Sequence, residues 1–442
     1  MTFPLQSEQS SSREHNKIHL YFMAAAISLS SAGSLMTVVA LSADLSKSVG
    51  ISQWSGLIET CSYLGAAVVG FLGGYLLQKH SFVRIGVWTS FLGIPITLFL
   101  WALSEIKPAI GLPCVFTIFC LTGLELPNTV SFFSHLLKEQ ERIRFFSLMQ
   151  SMTMAATFVA PSLAGMISSA FSTRWCYLFD ALTFFILLSS WIFFRSRYRD
   201  VPSKRNDSQQ LDWFLGFRVL VQNKLMFRLT MARVLYCFAY APFMACLPIW
   251  VTHLTGVVGG SYAESFGFAN SLKTFGFFSF SLIGVTGMIR DKNLHLISWL
   301  AAFLPIVAIA LGESTDTLVV FFIGCLLFGV GNYFFRILIV TLGQKYTPKE
   351  VLGPTIVAGD ALVRLSAAVI SAVAVSTTLI VPTPYGYVLL GMSLVALFAP
   401  AVILRDLKSS YQRTFGSVSS VTIPNPGSGE GLNIIPSSNL IR

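Results

Sequence analysis

Eight ionisable side chains sit inside stretches of sequence that are otherwise apolar: Glu59, Glu125, Asp180, Arg233, Lys273, Arg336, Asp360 and Arg364. A charge in such surroundings costs at least about 2.5–3.5 kcal/mol, so each needs a partner, water or a function. Glu125 stands near the middle of its stretch, two residues before Pro127, which loosens the backbone there. A carboxyl in a poorly hydrated site can take up and release a proton reversibly, which makes Glu125 the leading candidate for a proton-coupling or cation-binding group. The alternative is a plain pairing with Lys273 or Arg364. Lys273, deep in its own stretch, suits an anionic group such as a carboxylate. Asp360 and Arg364 are spaced i,i+4 and can pair across one helical turn. With Arg336 they would form a network that either gates or neutralises itself. Glu59 and Arg233 lie near the ends of their stretches, where a long side chain can snorkel to water.

Other chemistry is poorly served. The six histidines (His15, His19, His80, His135, His253, His295) are scattered without metal-ligand spacing. None of the seven cysteines forms a CxxC pair, and all fall within apolar stretches or at their edges, as small packing residues do. No G-x4-G-K-[ST] loop is present, so a driving force from nucleotide hydrolysis has no site. The reading is of a chain without cofactor, metal or catalytic residues, and so not an enzyme; a membrane enzyme or a non-transporting sensor is the rival class.

The elements that must hold these residues follow from hydropathy. The chain is 54% hydrophobic and 11% charged, against roughly 25% charged in soluble domains, and its mean hydropathy is +0.69. Apolar blocks of about 18–28 residues match a hydrocarbon core about 30 Å thick. The expected spans are Ile18–Ala43, Gln53–Gln78, Phe82–Leu103, Leu112–Leu136, Phe145–Ser169 and Trp175–Phe194, then Met226–Val251, Ala263–Ile289, Leu294–Leu311, Leu318–Leu342, Leu352–Ile380 and Tyr385–Leu404. The predicted fold is all-α: twelve transmembrane helices in two six-helix pseudo-symmetric halves, residues 18–194 and 226–404. A basic linker, 195–225, joins the halves, and its Leu211–Val221 portion is amphipathic enough to form a short helix on the membrane face. The flanking segments, 1–17 and 405–442, are polar and are expected to be tails, the second disordered. The first apolar block is long enough to be a retained span rather than a cleaved signal.

Charge fixes the expected orientation. Of thirty Lys and Arg residues, only Lys47, Lys107 and Arg174 fall in the loops that alternate with the basic ones. Positive loops stay cytoplasmic, so both termini and the linker should be cytoplasmic. The net charge of +10 is spread along the chain, which suits topogenic charge and anionic lipid rather than nucleic acid.

Weak internal symmetry supports the two halves. Gly74 precedes Gln78 and Lys79 after the second span, as Gly287 precedes Asp291 and Lys292 after the eighth. These residues resemble the G-x-x-x-D-[RK]-x-G loop of the major facilitator superfamily, with Gln78 and Ser81 departing from it. In the fifth span, Ser147, Ala156, Ala160, Pro161, Ala164 and Gly165 occupy the positions of the G-x8-G-x3-G-P-x2-G-G pattern of that superfamily's exporters; an ordinary small-residue packing face is the plainer reading. Arg174-Trp175 followed by Phe179-Asp180-Ala181-Leu182-Thr183-Phe184 is similar to the RW…DALSF signature of the macrolide-efflux and enterobactin-exporter branch. Thr341, Gln344, Pro348, Glu350 and Gly353 resemble its TLxQ…PxE…G segment, with Pro354 where the branch has Arg.

The resemblance implies a proton-coupled secondary transporter of the bacterial inner membrane, a monomer, exporting a small organic molecule such as a siderophore or drug-like compound by alternating access. An importer on the same scaffold is the alternative. It places the first, fourth, seventh and tenth spans around a central cavity. Those spans supply Ser28, Ser30, Ser31, Ser34 and Thr37; Glu125, Asn128 and Thr129; Arg233, Tyr236 and Tyr240; and Asn332, Tyr333 and Arg336. Asp180 becomes a structural pairing residue. Asp291, Lys292, Asp360 and Arg364 become members of gating or structural charge networks.

Overall fold

The computed structural model describes residues 5–48, 52–104, 106–137, 139–197, 215–284, 294–346, 349–380 and 385–402. Among these residues the regular elements are all helical. They are α1 (Leu5–Ser46), α2 (Leu57–Lys79), α3 (Phe82–Leu103), α4 (Gly111–Leu136), α5 (Glu139–Ala170), α6 (Arg174–Arg197) and the short α7 (Leu215–Gln222). Then follow α8 (Lys224–Val258), α9 (Tyr262–Gly284), α10 (Leu294–Ser314), α11 (Leu318–Tyr346), α12 (Lys349–Ile380) and α13 (Tyr385–Leu394). By length and hydropathy, ten stretches among the described residues can cross a membrane. The two remaining spans expected from the sequence correspond to α9, which carries Glu264, Asn270 and Lys273, and to the shorter apolar helix Val388–Val402. Asp291 and Lys292, most of the linker and the C-terminal tail lie outside the described residues. The N-terminal segment read as a tail is helical from Leu5 onward, continuous with the first span.

Each helix closes its backbone hydrogen bonds within itself, as lipid requires. Prolines sit inside several of them, at Pro95, Pro127, Pro161, Pro242, Pro248 and Pro305. α8 starts where Asn223 accepts a hydrogen bond from the Met226 amide at 3.2 Å, a side-chain cap on otherwise orphaned donors. The amphipathic linker segment does form a helix, but α7 packs on protein. Leu220 is fully buried in a cluster with Met226, Leu229, Leu342 and Ala358, and Phe217 stacks on Phe71 of α2 at 5.1 Å.

The two halves repeat one packing scheme. In the first, α1 packs on α5 and α6, α2 on α4, and α3 on α4 and α6; in the second, α8 packs on α12 and α13, α9 on α11, and α10 on α11 and α13. Matching α1–α6 to α8–α13 with α7 set aside makes these sets equivalent. The joints between halves obey the same relation, since α5 meets α9 just as α12 meets α2.

Within the first half, buried carboxyls bridge helices through hydroxyl and indole donors. Thr37 of α1 donates to Asp180 of α6 at 2.7 Å, and Tyr177 of α6 donates to Asp44 of α1 at 2.8 Å. Glu125 of α4 accepts from Thr89 of α3 at 2.7 Å and from the Trp191 indole of α6 at 2.8 Å. Such interhelical bonds substitute for the solvent-driven force that lipid does not supply. Trp191 is fully buried and edge-packed on Phe132 at 5.4 Å. Trp191→Ala should therefore cost about 3–5 kcal/mol, from the lost burial and the cavity left behind together. Thermal unfolding of the purified protein should show the loss as a clearly lowered midpoint, and an unchanged midpoint would remove Trp191 from the packing core.

Candidate functional site

A cavity of about 210 Å³ lies where the halves meet. The first half contributes Leu35, Val38 and Val39 from α1, Glu59, Ser62 and Tyr63 from α2, Phe119 from α4 and Pro161 from α5. The second half contributes Tyr240 and Met244 from α8, Asn270 and Lys273 from α9, and Arg364 from α12. Its polar groups fall on helix stripes: Glu59, Ser62 and Tyr63 are spaced i, i+3, i+4, and Asn270 and Lys273 are spaced i, i+3. That spacing turns each set to one face. It was the signal in the sequence that could have found this site.

Lys273 donates to the Asn270 side-chain oxygen at 2.8 Å and lies 3.2 Å from the Met244 sulfur. Arg233 forms an ion pair with Asp360, whereas neither Lys273 nor Glu59 has a charged partner in direct contact among the described residues. Ser62 donates to Glu59 at 3.4 Å. The Tyr63 hydroxyl is buried without a hydrogen-bond partner.

The candidate residues read from the sequence separate into three places. Lys273, Tyr240 and Arg364 reach the cavity. Glu125 and Asn128 do not: both are buried inside the first half, where the Asn128 amide nitrogen donates to the Phe82 carbonyl at 2.9 Å. Tyr236 is buried and stacks on Phe335 at 3.9 Å, and Asn332 is half-buried on α11. Arg336 lies over the Phe277 ring, 5.5 Å from its centre. The i,i+4 pairing open to Asp360 and Arg364 is not the one formed. Asp360 pairs with Arg233 of the neighbouring α8, which leaves Arg364 to turn toward the cavity. Glu59, assigned by linear position to a span end, is a wall residue.

One end of the molecule carries the α1–α2, α5–α6, α8–α9 and α10–α11 connections, which are poor in charge; the other carries the basic ones. On the low-charge side the halves are sealed. Ser42 and Tyr262 share a hydrogen bond of 2.6 Å, Ser169 donates to Glu264, and Ser162 donates to Ser271 at 2.7 Å. Across the pseudo-symmetric joint, Thr60 and Ser371 share one of 2.8 Å. The fifth-span small residues serve this seal. A side-chain carbon added at Gly165 would overlap the Ala263 carbonyl oxygen, and one added at Gly267 of α9 would overlap that of Pro161. Ala160 and Ala164 are buried, Ala156 packs beside them in the same core, and the side chain of Ser147 lies outside the described residues. The hydrogen bonds just named between the halves lie on this low-charge side. Toward the basic end, Arg336 and Arg364 are exposed.

Residues 20–372 match the family model described as Major Facilitator Superfamily. Solved structures with the same fold include the nucleoside transporter NupG, at 14% identity with a TM-score of 0.66, over 88% of this chain and 99% of that one. A POT family transporter in complex with 5-aminolevulinic acid aligns at 11% identity with a TM-score of 0.69, over 87% and 95% of the two chains. An auto-inhibited POT family peptide transporter aligns at 12% identity and 0.67, over 93% and 99%. No curated protein matches the chain in sequence.

Proposed function

Since the chain belongs to the Major Facilitator Superfamily and is a multi-pass membrane transporter rather than an enzyme, we propose that it is a secondary active transporter, moving a small organic solute against a proton gradient by alternating access. The observation that carries this is a cavity shared by both halves, holding Glu59 and Lys273 without a direct ion pair and closed by a hydrogen-bonded seal on its low-charge side. A pseudo-symmetric pair of bundles that closes over such a site at one end, then at the other, exposes it alternately to two compartments. With the positive-inside rule, the sealed side is the outer one and the termini are cytoplasmic. The conformation then presents the site to the cytoplasm. Residues sequestered in this way can hold charge that lipid would reject.

Glu59 carries the proton and Lys273, with Arg364, holds the solute. The coupling role expected for Glu125 passes to Glu59, because Glu125 is bonded inside one half and cannot be exposed alternately by motion between halves. Export is supported by the fifth-span pattern and by the resemblance to the macrolide-efflux and enterobactin-exporter branch. The cavity's 210 Å³ falls below the roughly 300–1,000 Å³ of sites for drug-sized ligands, which favours a compact solute over a macrolide or an intact siderophore.

Direction is tested with inverted and right-side-out vesicles from cells that express the protein in an otherwise transporter-poor strain. A panel of radiolabelled amino acids, short carboxylic acids and small amines is offered under an imposed pH gradient. Accumulation in acid-interior inverted vesicles, abolished by a protonophore, is the expected result. Accumulation confined to right-side-out vesicles would make the protein an importer.

A further inference from the structure

The charges of the cavity come from opposite halves. Glu59 enters from α2, Lys273 from α9 and Arg364 from α12. Both signs are therefore presented to one space, with no ion pair between Glu59 and Lys273. Arg364 makes no hydrogen bond or ion pair among the described residues, and the Tyr63 hydroxyl is buried without a partner. Between these groups the wall is apolar: Leu35, Val38 and Val39 on α1, Phe119 on α4, Pro161 on α5. A solute carrying only an anion would satisfy Lys273 while facing the Glu59 carboxylate. One carrying only a cation would satisfy Glu59 while facing two positive groups. Burying an unmatched charge costs more than a matched pair returns, so a ligand with both signs fits best.

We propose that the transported solute is a small zwitterion of the amino-acid type, its carboxylate held by Lys273 and Arg364 and its ammonium by Glu59, with a short carbon skeleton against the apolar wall. The inference rests on the cavity being the transport site. It also sets the sign of coupling. The ammonium and the proton compete for one carboxylate, so loading the zwitterion expels a proton from Glu59 and the two exchange across the membrane. A purely anionic solute would bind together with the proton, since neutralising Glu59 removes the repulsion, and the two would travel the same way. The groups facing Glu59 are Lys273 from α9, Tyr240 from α8, Arg364 from α12 and Ser62 and Tyr63 from its own helix. The α1, α4 and α5 walls present no titratable side chain to it.

The test is binding to the purified protein in nanodiscs, by calorimetry, over a pH series. The probes are alanine, β-alanine, 4-aminobutyrate and 5-aminopentanoate, each against the carboxylic acid and the amine of equal length. Amino acids should bind more tightly than either single-charge analogue by about tenfold or more, since one charged contact is lost in each. Their affinity should rise with pH through the titration of Glu59, by up to about tenfold per unit. Glu59→Gln should abolish both the slope and the preference over the plain acid. Equal binding of the plain acids, or affinity that strengthens on acidification of the wild type, overturns the zwitterion and leaves a proton–anion carrier. If no probe binds while the vesicles still move another solute with protons, this inference fails and the transport reading stands. If the vesicles move nothing either, both fail.

Discussion

Glu59→Gln is expected to reduce proton-driven transport to background while leaving the protein folded and inserted. Glutamine keeps the shape of the side chain and can still accept from Ser62, which approaches Glu59 at 3.4 Å. It cannot take up a proton or balance the charge of Lys273. Coupling needs one group whose occupancy changes as the cavity turns from one face to the other, and a neutral amide has no such change. Glu125→Gln is the internal control. Its carboxyl accepts from Thr89 and Trp191 within the first half, and the amide can keep one of those bonds, so pH-driven flux should stay near wild type with a modest loss of stability. Flux in proteoliposomes, driven by an imposed pH gradient and scaled to reconstituted protein, decides between them. The reverse outcome, a dead Glu125→Gln beside an active Glu59→Gln, would move the coupling site out of the cavity.

Gly267→Leu should arrest the transport cycle. At Gly267 an added carbon meets the Pro161 carbonyl oxygen of the other half, and Gly165 lies against the same contact. Both partners there are backbone, which cannot swing aside as a side chain can. Overpacking costs about 1–3 kcal/mol where neighbours relax, and a 3 kcal/mol penalty on one of two conformations shifts their ratio on the order of a hundredfold. Closure on the low-charge side is therefore lost and the cavity stays open there. A reporter thiol reads this directly. Ser42 is fully buried at the seal, bonded to Tyr262. With the seven native cysteines replaced, Ser42→Cys should resist a membrane-impermeant maleimide added from outside. In the Gly267→Leu background it should label readily. Gly70→Leu, where the added carbon would lie 2.7 Å from the Ala361 side chain across the pseudo-symmetric joint, should be similarly inactive. Normal transport by Gly267→Leu, or unchanged labelling, would show that α5 and α9 do not form the seal.

Much of the fold was legible because hydropathy is a property of consecutive residues. α3 occupies Phe82–Leu103 as expected, and α4 and α12 begin within a few residues of their predicted starts. The fifth-span small residues were visible as a packing face. Their partner, Gly267 of α9, was not, because nothing along the chain ties residue 165 to residue 267. The linker helix was visible too, but its burial through Leu220 and Phe217 depends on α2, α8 and α12 converging beneath it.

That the chain is a helical membrane protein of two similar halves, and its expected orientation, can be read from the order of its residues. Span length and loop charge are local quantities that insertion reads one segment at a time. The sequence also named every ionic group that the cavity uses, since Glu59, Lys273 and Arg364 all belong to the small set of charges inside apolar stretches. Which of them meet depends on how the helices pack. A span's position in the sequence sets the depth of a residue, while its facing is set by how helices rotate and pack against one another. That rotation turned the central Glu125 into the first half's own interior, gave Asp360 to Arg233 instead of its helical neighbour, and brought Glu59 and Lys273 from separate halves into one cavity.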